Sequence, residues 1–475
     1  MVFSSAICLF GFLPAVIIVY YVWRLLFQKK PGNAVLLFFS YIFYLYGAAD
    51  FLLILLLSTL ADYFLGLMID RDVRLKHLCL SLSVVLNIGL LVYFKYTNFF
   101  VGELNSVLVR FGYSPVKWTE VLLPIGISFF TFQKLSYIID VYRGEGRALK
   151  NFFDFALYVA NFARLIAGPI VQFSYISGQL KVRKESWDFF FAGIMRFCWG
   201  LAKKVIIATS CSQIADTIFG MNLALLDTKS AWLGSIAYTF QIYFDFSGYS
   251  DMAIGLGMMF GFTFPENFNR PYSAVSITDF WRRWHITLSR WFRDYLYIPL
   301  GGNRCGTART CVNMAAVFIL CGLWHGANWT FLFWGIYHGV FLILERLIGI
   351  RDVPPEKYKI IRRVTTLFII IVGWVLFRSD DISHAMGFLG VMFTATDVPL
   401  SYELSLALNY RNVVFMLAAL AVCFMPREFS GIRVLISKKD PIQLLAGALM
   451  VLLLLPYCAA LIVGGSTSPF IYYRF

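Results

Sequence analysis

His325 closes the apolar run 312–324 and is followed at once by Gly326, Ala327 and Asn328, in the segment CGLWHGANWTFLFWGIYHG at 321–339. An ionisable side chain at membrane depth is costly, and it ordinarily faces a polar cavity and serves function. An imidazole, with an unperturbed pKa of about 6.5, is suited to pass a proton near neutral pH. Gly322, Gly326 and Ala327 leave room beside it for a ligand or a neighbouring helix. His285 is the second candidate, in WRRWHITLSRWFRDYLYIPL at 281–300. On a continuous helix, Trp281, Trp284, Leu288, Trp291, Phe292 and Tyr295 share one arc, and Arg282, Arg283, Arg290 and Arg293 take the other. His285 falls at the edge of the apolar arc, so its ring should point inward. The arginine face fits either simple anchoring at the headgroup level or reception of an anionic ligand.

Other polar groups have plainer readings. His338 should be a hydrogen-bonded structural residue in a tightly packed helix beside Gly339, and His77 and His384 should be solvated loop residues. Asp140, Asp245 and Asp251 lie in apolar stretches and should seek cations, either Arg143 or an arginine of the 281–293 segment. The turn PLGGNR, Pro299 to Arg304, is a tight turn that also suits backbone and Arg304 contacts to phosphate. Nine cysteines are scattered without a C-x-x-C pair or a histidine at ligand spacing. They read as small apolar fillers, and no metal site is expected.

The elements that must carry these residues are membrane helices. Of 475 residues, 59% are hydrophobic and only 14% charged, against roughly a quarter charged in soluble domains. Apolar runs of the roughly 20 residues needed to cross a bilayer recur along the chain. Segments such as 441–463 are too long and uniform for barrel strands. The fold class expected is an all-α polytopic membrane protein with about ten to twelve membrane segments, some re-entrant or interfacial, in one domain covering 1–475. The net charge of +14 sits in short loops, where the positive-inside bias and anionic headgroups account for it, so nucleic acid is not an expected partner. Lys29 and Lys30, the cluster Arg71, Arg74, Lys76 and His77, and the segments 351–363 and 427–439 should be cytoplasmic. The acidic 379–410 and the C-terminus should be outside. Residues 33–48 should end at a turn by Asp50, with 51–69 returning, and 2–27 should be a retained first helix. Lys95, Arg110 and Lys117 depart from this scheme, which leaves the topology of 98–210 open.

DFWRRWHITLSRWFRDYLYIPLGGNR followed by GLWHGANWTFLFWGIYHG closely resembles the membrane-bound O-acyltransferase (MBOAT) family, and within it the bacterial alginate O-acetylation branch. LPIGISFFTFQKLSYIIDVYRG, LIAGPIVQF, YFDFSGYSDMAIGLGMMFGFTFPENFNRPY and the ending PFIYYRF resemble that branch too. One departure is Ala163 and Arg164 before the L-x-A-G-P element, where relatives often carry a proline, so a helix break there loses its usual cause.

The resemblance implies a ring of helices around a central tunnel. It matches His325 to the family's invariant catalytic histidine and His285 to a second histidine or its asparagine counterpart. It further implies a thioester donor, most simply acetyl-CoA, with no tightly bound cofactor. An extracytoplasmic SGNH-type acetyltransferase partner and a polysaccharide acceptor such as alginate, cellulose or peptidoglycan complete the expectation, in a bacterial inner membrane. D-alanyl transfer to teichoic acids is the related alternative. In this scheme His325 is the general base, Asn328 or His285 holds the developing oxyanion or orients the donor, and an acyl-histidine intermediate stays open beside direct transfer. Trp324, Asn328, Arg282 and Arg304 are the expected substrate-binding residues. A proton-relaying transporter and a non-catalytic scaffold are the alternatives from other classes, although no internal repeat of the transporter kind is visible.

Overall fold

The computed structural model describes residues 2–27, 32–183, 185–350, 356–425 and 441–465, with backbone only at 356 and 441–444. Lys29, Lys30, 351–355, 427–439 and the PFIYYRF ending lie outside the described residues, and so do the topological expectations that rest on them. Every regular element described is helical. Among the described residues, seven helical segments are long and apolar enough to cross a membrane, among them 33–71, 76–110, 306–325 and 329–348, and two shorter apolar helices follow at 382–393 and 410–424.

The chain divides into two compact units, Met1–Glu185 and Ser186–Phe475. The first contains α1 (Leu13–Leu26), α2 (Asn33–Ala48), α3 (Leu52–Arg71), α4 (Lys76–Arg110), α5 (Ile127–Arg143), α6 (Phe152–Ala160) and α7 (Phe173–Lys181). The expected turn by Asp50 is a single 3-10 turn, Ala49–Phe51, between α2 and α3. Helices α3, α4 and α5 pack together. At their contact the fully buried Asp62 carboxylate accepts hydrogen bonds from Ser83 Oγ at 2.5 Å and Asn87 Nδ2 at 2.8 Å, with Lys134 Nζ 3.7 Å away. After α6 the chain leaves helical geometry at Asn161, whose side-chain oxygen accepts from the Ala163 N–H at 3.1 Å. The break expected from proline is thus made by an asparagine turn, a conformation that asparagine favours.

The second unit contains α8 (Trp187–Ala202), α9 (Thr209–Phe219), α10 (Thr228–Met259), α11 (Ile277–Trp281), α12 (Ile286–Phe292), α13 (Gly306–His325), α14 (Trp329–Ile348), α15 (Glu356–Arg378), α16 (Ile382–Phe393), α17 (Tyr402–Ala407), α18 (Tyr410–Phe424) and α19 (Pro441–Val463). Buried α10 is its axis. Gly193 and Gly200 of α8 meet Gly255 and Gly248 of α10 so closely that a Cβ on either partner would come within 2.5–2.7 Å of the other's carbonyl oxygen. Such small-residue contacts let helix backbones approach where packing, not the hydrophobic effect, drives association.

That approach corrects the expected ion pairs. Asp251 binds Arg196 at 2.8 Å and Lys203 at 2.7 Å, and Asp245 binds Lys204. The cations come from α8 and its continuation Lys203–Ala208, which run along α10, where the 281–293 arginines were expected. Asp140, in the first unit, accepts the Ser174 N–H at 2.8 Å. His77 and His384 lie in the first turns of α4 and α16 and not in loops. His77 Nδ1 is 3.0 Å from the Tyr142 hydroxyl, and the His384 N–H donates to the capping Asp381 at 2.8 Å.

Candidate active site

The segment 281–300 is not the continuous helix its pattern suggests. Helix α11 ends at Trp281, the chain turns through 282–285, and α12 starts at Ile286. His285 forms the joint in a left-handed conformation, φ 42°, which costs roughly 1–2 kcal/mol for a residue with a Cβ and persists only where the surroundings enforce it. The enforcement is visible. Asn269 N donates to Arg283 O and Ile286 N to Asn267 O, each at 2.9 Å, lacing the turn to the loop after α10. Most of the expected sorting survives the break: Trp281, Trp284, Leu288, Trp291 and Phe292 are buried and Arg282, Arg290 and Arg293 exposed, whereas Arg283 and Tyr295 are half-buried.

The arginine-bearing turn is anchored by α14. Glu345 accepts the N–H groups of Ile277 at 2.6 Å and Thr278 at 2.8 Å, and the Thr278 hydroxyl at 2.7 Å. A carboxylate facing the free N–H groups at a helix start is favourable in charge and in hydrogen bonding. Ser276 Oγ accepts the Asp279 N–H at 2.9 Å on the same turn.

His325 is the last residue of α13, and Asn328 caps α14, so the histidine sits at the bend of a helical hairpin. The hairpin is held close by Gly322 and Gly335. A Cβ on Gly322 would lie 2.3 Å from Phe331 O, and one on Gly335 2.3 Å from Phe318 O. The imidazole of His325 is buried at 5% exposure. Its ring centroid lies 4.9 Å from Trp324, 5.1 Å from Trp334 and 5.2 Å from Phe377.

His285 is 1% exposed and packs against the same aromatic cluster, 4.7 Å from Phe246 and 6.2 Å from Trp324. Trp324 therefore borders both imidazoles. His285 Nδ1 lies 3.0 Å from Asn267 Oδ1. Burial pushes the His285 pKa down from its usual value to about 3, so it is neutral at physiological pH. His338 is fully buried too, its ring 5.2 Å from Trp281 and 5.1 Å from Trp334. The expected hydrogen bond is missing there, since no described residue bonds to either ring nitrogen.

Outside this aromatic wall lies a groove of about 330 Å³ lined by Arg282, Arg293 and Arg346 and floored by Trp281, Met314, Val317, Phe318 and Leu342. Trp281 belongs both to the groove and to the aromatic cluster, because its ring also lies 5.5 Å from Trp334. Three guanidiniums over an apolar floor suit an amphiphile with an anionic head, since guanidinium groups recognise phosphates through paired N–H donors.

The expected binding residues divide. Arg282 lines the groove, whereas Arg304 is exposed in the turn after it and is not among the lining residues. That turn is latched by Asn313, whose side-chain amide donates to Leu300 O and Gly302 O, each at 3.2 Å. Asn328 is engaged at both ends of its amide, accepting the Thr330 N–H at 3.1 Å and donating to Asp380 O at 2.7 Å. Arg293, one of the arginines of the face read from the sequence, lines the groove as well, whereas Asn267 and Arg346 are residues that the sequence did not single out. Asn267 lies within the block ending PENFNRPY, where an asparagine among aromatics was the available signal.

The MBOAT, membrane-bound O-acyltransferase, family model matches residues 38–377, which take in the groove and both histidines. The chain is 43% identical to a probable alginate O-acetylase AlgI of Pseudomonas putida, over the full length of both proteins. It is 36% identical to a peptidoglycan O-acetyltransferase of Helicobacter pylori, covering 87% of this chain and 84% of that one. A teichoic acid D-alanyltransferase of Bacillus subtilis is 29% identical over 55% of this chain and 70% of its own. With seven apolar spanning segments and this breadth of match, the chain belongs to the MBOAT family and is a multi-pass membrane O-acyltransferase.

Proposed function

We propose that this enzyme takes an acetyl group from a cytoplasmic thioester, most simply acetyl-CoA, and passes it across the inner membrane for O-acetylation of an extracytoplasmic polysaccharide. The observation that carries this reading is the contact path from the arginine groove through Trp281 and Trp334 to His325. It gives an anionic donor a place for its phosphates against the aromatic wall that packs on His325. His325 takes the proton from the incoming hydroxyl as that oxygen attacks the thioester carbonyl, a contribution of about 10² to 10⁴ in rate for a positioned base. The thiol leaves with a proton returned from the imidazolium. The activities named for the Pseudomonas putida and Helicobacter pylori relatives support acetyl as the group and a surface glycan as its destination. Completion of transfer falls to an SGNH-type acetyltransferase outside the membrane. D-alanyl transfer is the second reading, resting on the shorter and weaker match to the Bacillus subtilis protein.

The test is turnover of labelled acetyl-CoA by the purified full-length protein, with and without an SGNH-type partner, beside a D-alanyl thioester as competing donor. Acetyl transfer that needs the partner for glycan modification supports the proposal, and transfer of D-alanine alone removes it. Charge reversal at Arg282 and Arg346 should raise the donor KM at least tenfold in a protein that still inserts, because each lost charge-assisted contact is worth about 1.5–3 kcal/mol. An unchanged KM in that variant makes the groove a lipid anchor.

A further inference from the structure

The hydrogen bonds around Asn267 determine which nitrogen of His285 carries its proton. Asn267 is fully buried. Its Oδ1 atom receives three groups: the Thr287 backbone N–H at 3.3 Å, the Thr287 hydroxyl at 2.9 Å and His285 Nδ1 at 3.0 Å. Its Nδ2 atom donates to Ser250 Oγ at 3.1 Å. A backbone N–H can only donate, so the atom it meets must be the amide oxygen, which can only accept. The His285 nitrogen beside that oxygen must therefore bear the hydrogen. In a neutral imidazole the other nitrogen is then a bare lone pair. His285 Nε2 is buried, and no described residue hydrogen-bonds to it.

We infer that Asn267 is a positioning residue that holds His285 as the Nδ1–H tautomer and so presents Nε2 as a hydrogen-bond acceptor for an O–H or N–H donor of the bound substrate, the proton of the attacking hydroxyl being left to His325. The inference rests on the acyl-transfer reading for the identity of that substrate, and on geometry alone for the tautomer. It removes one role considered for this histidine: an imidazole with its hydrogen committed to Asn267 has none to offer a developing oxyanion. The rings recorded against His285, Phe246 and Trp324, carry no titratable group, and its polar neighbours Asn267, Thr287 and Ser250 are neutral. Among the described residues, none of these contacts brings to the ring a charge that would compete with the amide for control of the tautomer. An amide oxygen in this place orients the imidazole as the asparagine of a Cys-His-Asn triad does.

The test uses full-length protein labelled with ¹⁵N-histidine, which has only five histidines to resolve, with His285→Gln identifying the His285 signals. At neutral pH His285 should show a protonated Nδ1 and an unprotonated Nε2. Asn267→Asp keeps the acceptor and should keep that pattern, while its charge raises the imidazole pKa and moves the acid limb of transfer to higher pH. Asn267→Leu should give mixed tautomers and lower kcat by about tenfold, as expected for loss of one hydrogen bond to the substrate, at unchanged donor KM. A protonated Nε2 in the wild type, or an unaltered pattern in a folded Asn267→Leu protein, overturns the assignment. Wild-type turnover in His285→Gln overturns the acceptor role. The nitrogen signals are read without substrate, so a failure of the acetyl-transfer proposal appears in the turnover assay alone.

Discussion

Two buried polar clusters, one in each unit, are built on opposite principles. Around Asp62 the first unit collects complementary groups: two hydrogen-bond donors on the carboxylate and a lysine 3.7 Å away, all fully enclosed. Around His285 and His325 the second unit gathers aromatic rings, keeps His285 neutral and leaves its Nε2 without a described partner. Charges placed in a low-dielectric interior are held by mutual compensation, and they specify which helices meet. A neutral base in the same setting has capacity left for a substrate. On the proposed function, the comparison separates a cluster that fastens from one left free to react.

Substitutions should reveal that separation. His325→Ala is expected to lower acetyl transfer by about 10² to 10⁴ at matched membrane levels, with the thermal transition little changed. His325→Gln should not rescue it, because an amide accepts hydrogen bonds but no proton at neutral pH. Near-normal turnover in His325→Ala would shift the base to His285. His338→Ala should have a smaller effect on rate. The fastening cluster should respond in the opposite sense. Lys134→Met alone leaves Asp62 uncompensated and should cost about 3–5 kcal/mol of stability, whereas Lys134→Met with Asp62→Asn should recover much of that loss. Turnover per folded molecule should stay near wild type in both. A chemical denaturation series with activity measured on the folded fraction checks it, and a double variant no better than the single would mean the pair is not coupled.

Gly322→Ala tests the hairpin that carries His325. The added methyl group would meet the Phe331 carbonyl at 2.3 Å, and overpacking of this kind costs about 1–3 kcal/mol. Stability and turnover should fall together, unlike in either cluster. The smallest effect is expected at the anchor of α11. Glu345→Gln weakens charge-assisted bonds to two backbone N–H groups and should cost about 1 kcal/mol, seen as a modest rise in donor KM.

The sequence made some of this legible and concealed the rest for identifiable reasons. His325 stood out because a histidine beside small residues in an apolar run is a local signal. The burial of Trp281, Trp284, Leu288 and Trp291 followed from periodicity, and it survived an interruption of the helix because the turn at 282–285 preserves the inward face. The interruption itself was hidden. Nothing in WRRWHITL breaks a helix by propensity, and the left-handed joint is imposed by hydrogen bonds from Asn267 and Asn269 across the fold. The partners of Asp245 and Asp251 were misread for a similar reason: glycine contacts between α8 and α10 bring Arg196, Lys203 and Lys204 alongside, and sequence distance gives no hint of it. Asp62 and Lys134, on separate helices of the first unit, were passed over because each alone looks like an ordinary charge in an apolar segment.

The left-handed backbone at His285 also shapes what a saturation library at this position would return. Asparagine and glycine accept positive φ at least cost, whereas β-branched residues resist it most. Valine or isoleucine would fail through the backbone even if the chemistry at 285 were dispensable. Glycine would remove the side chain while easing the backbone. Ranking the library by retained protein and, separately, by retained turnover would therefore yield two different orders, and the distance between the orders is a direct reading of how much of this position is hinge and how much is reagent.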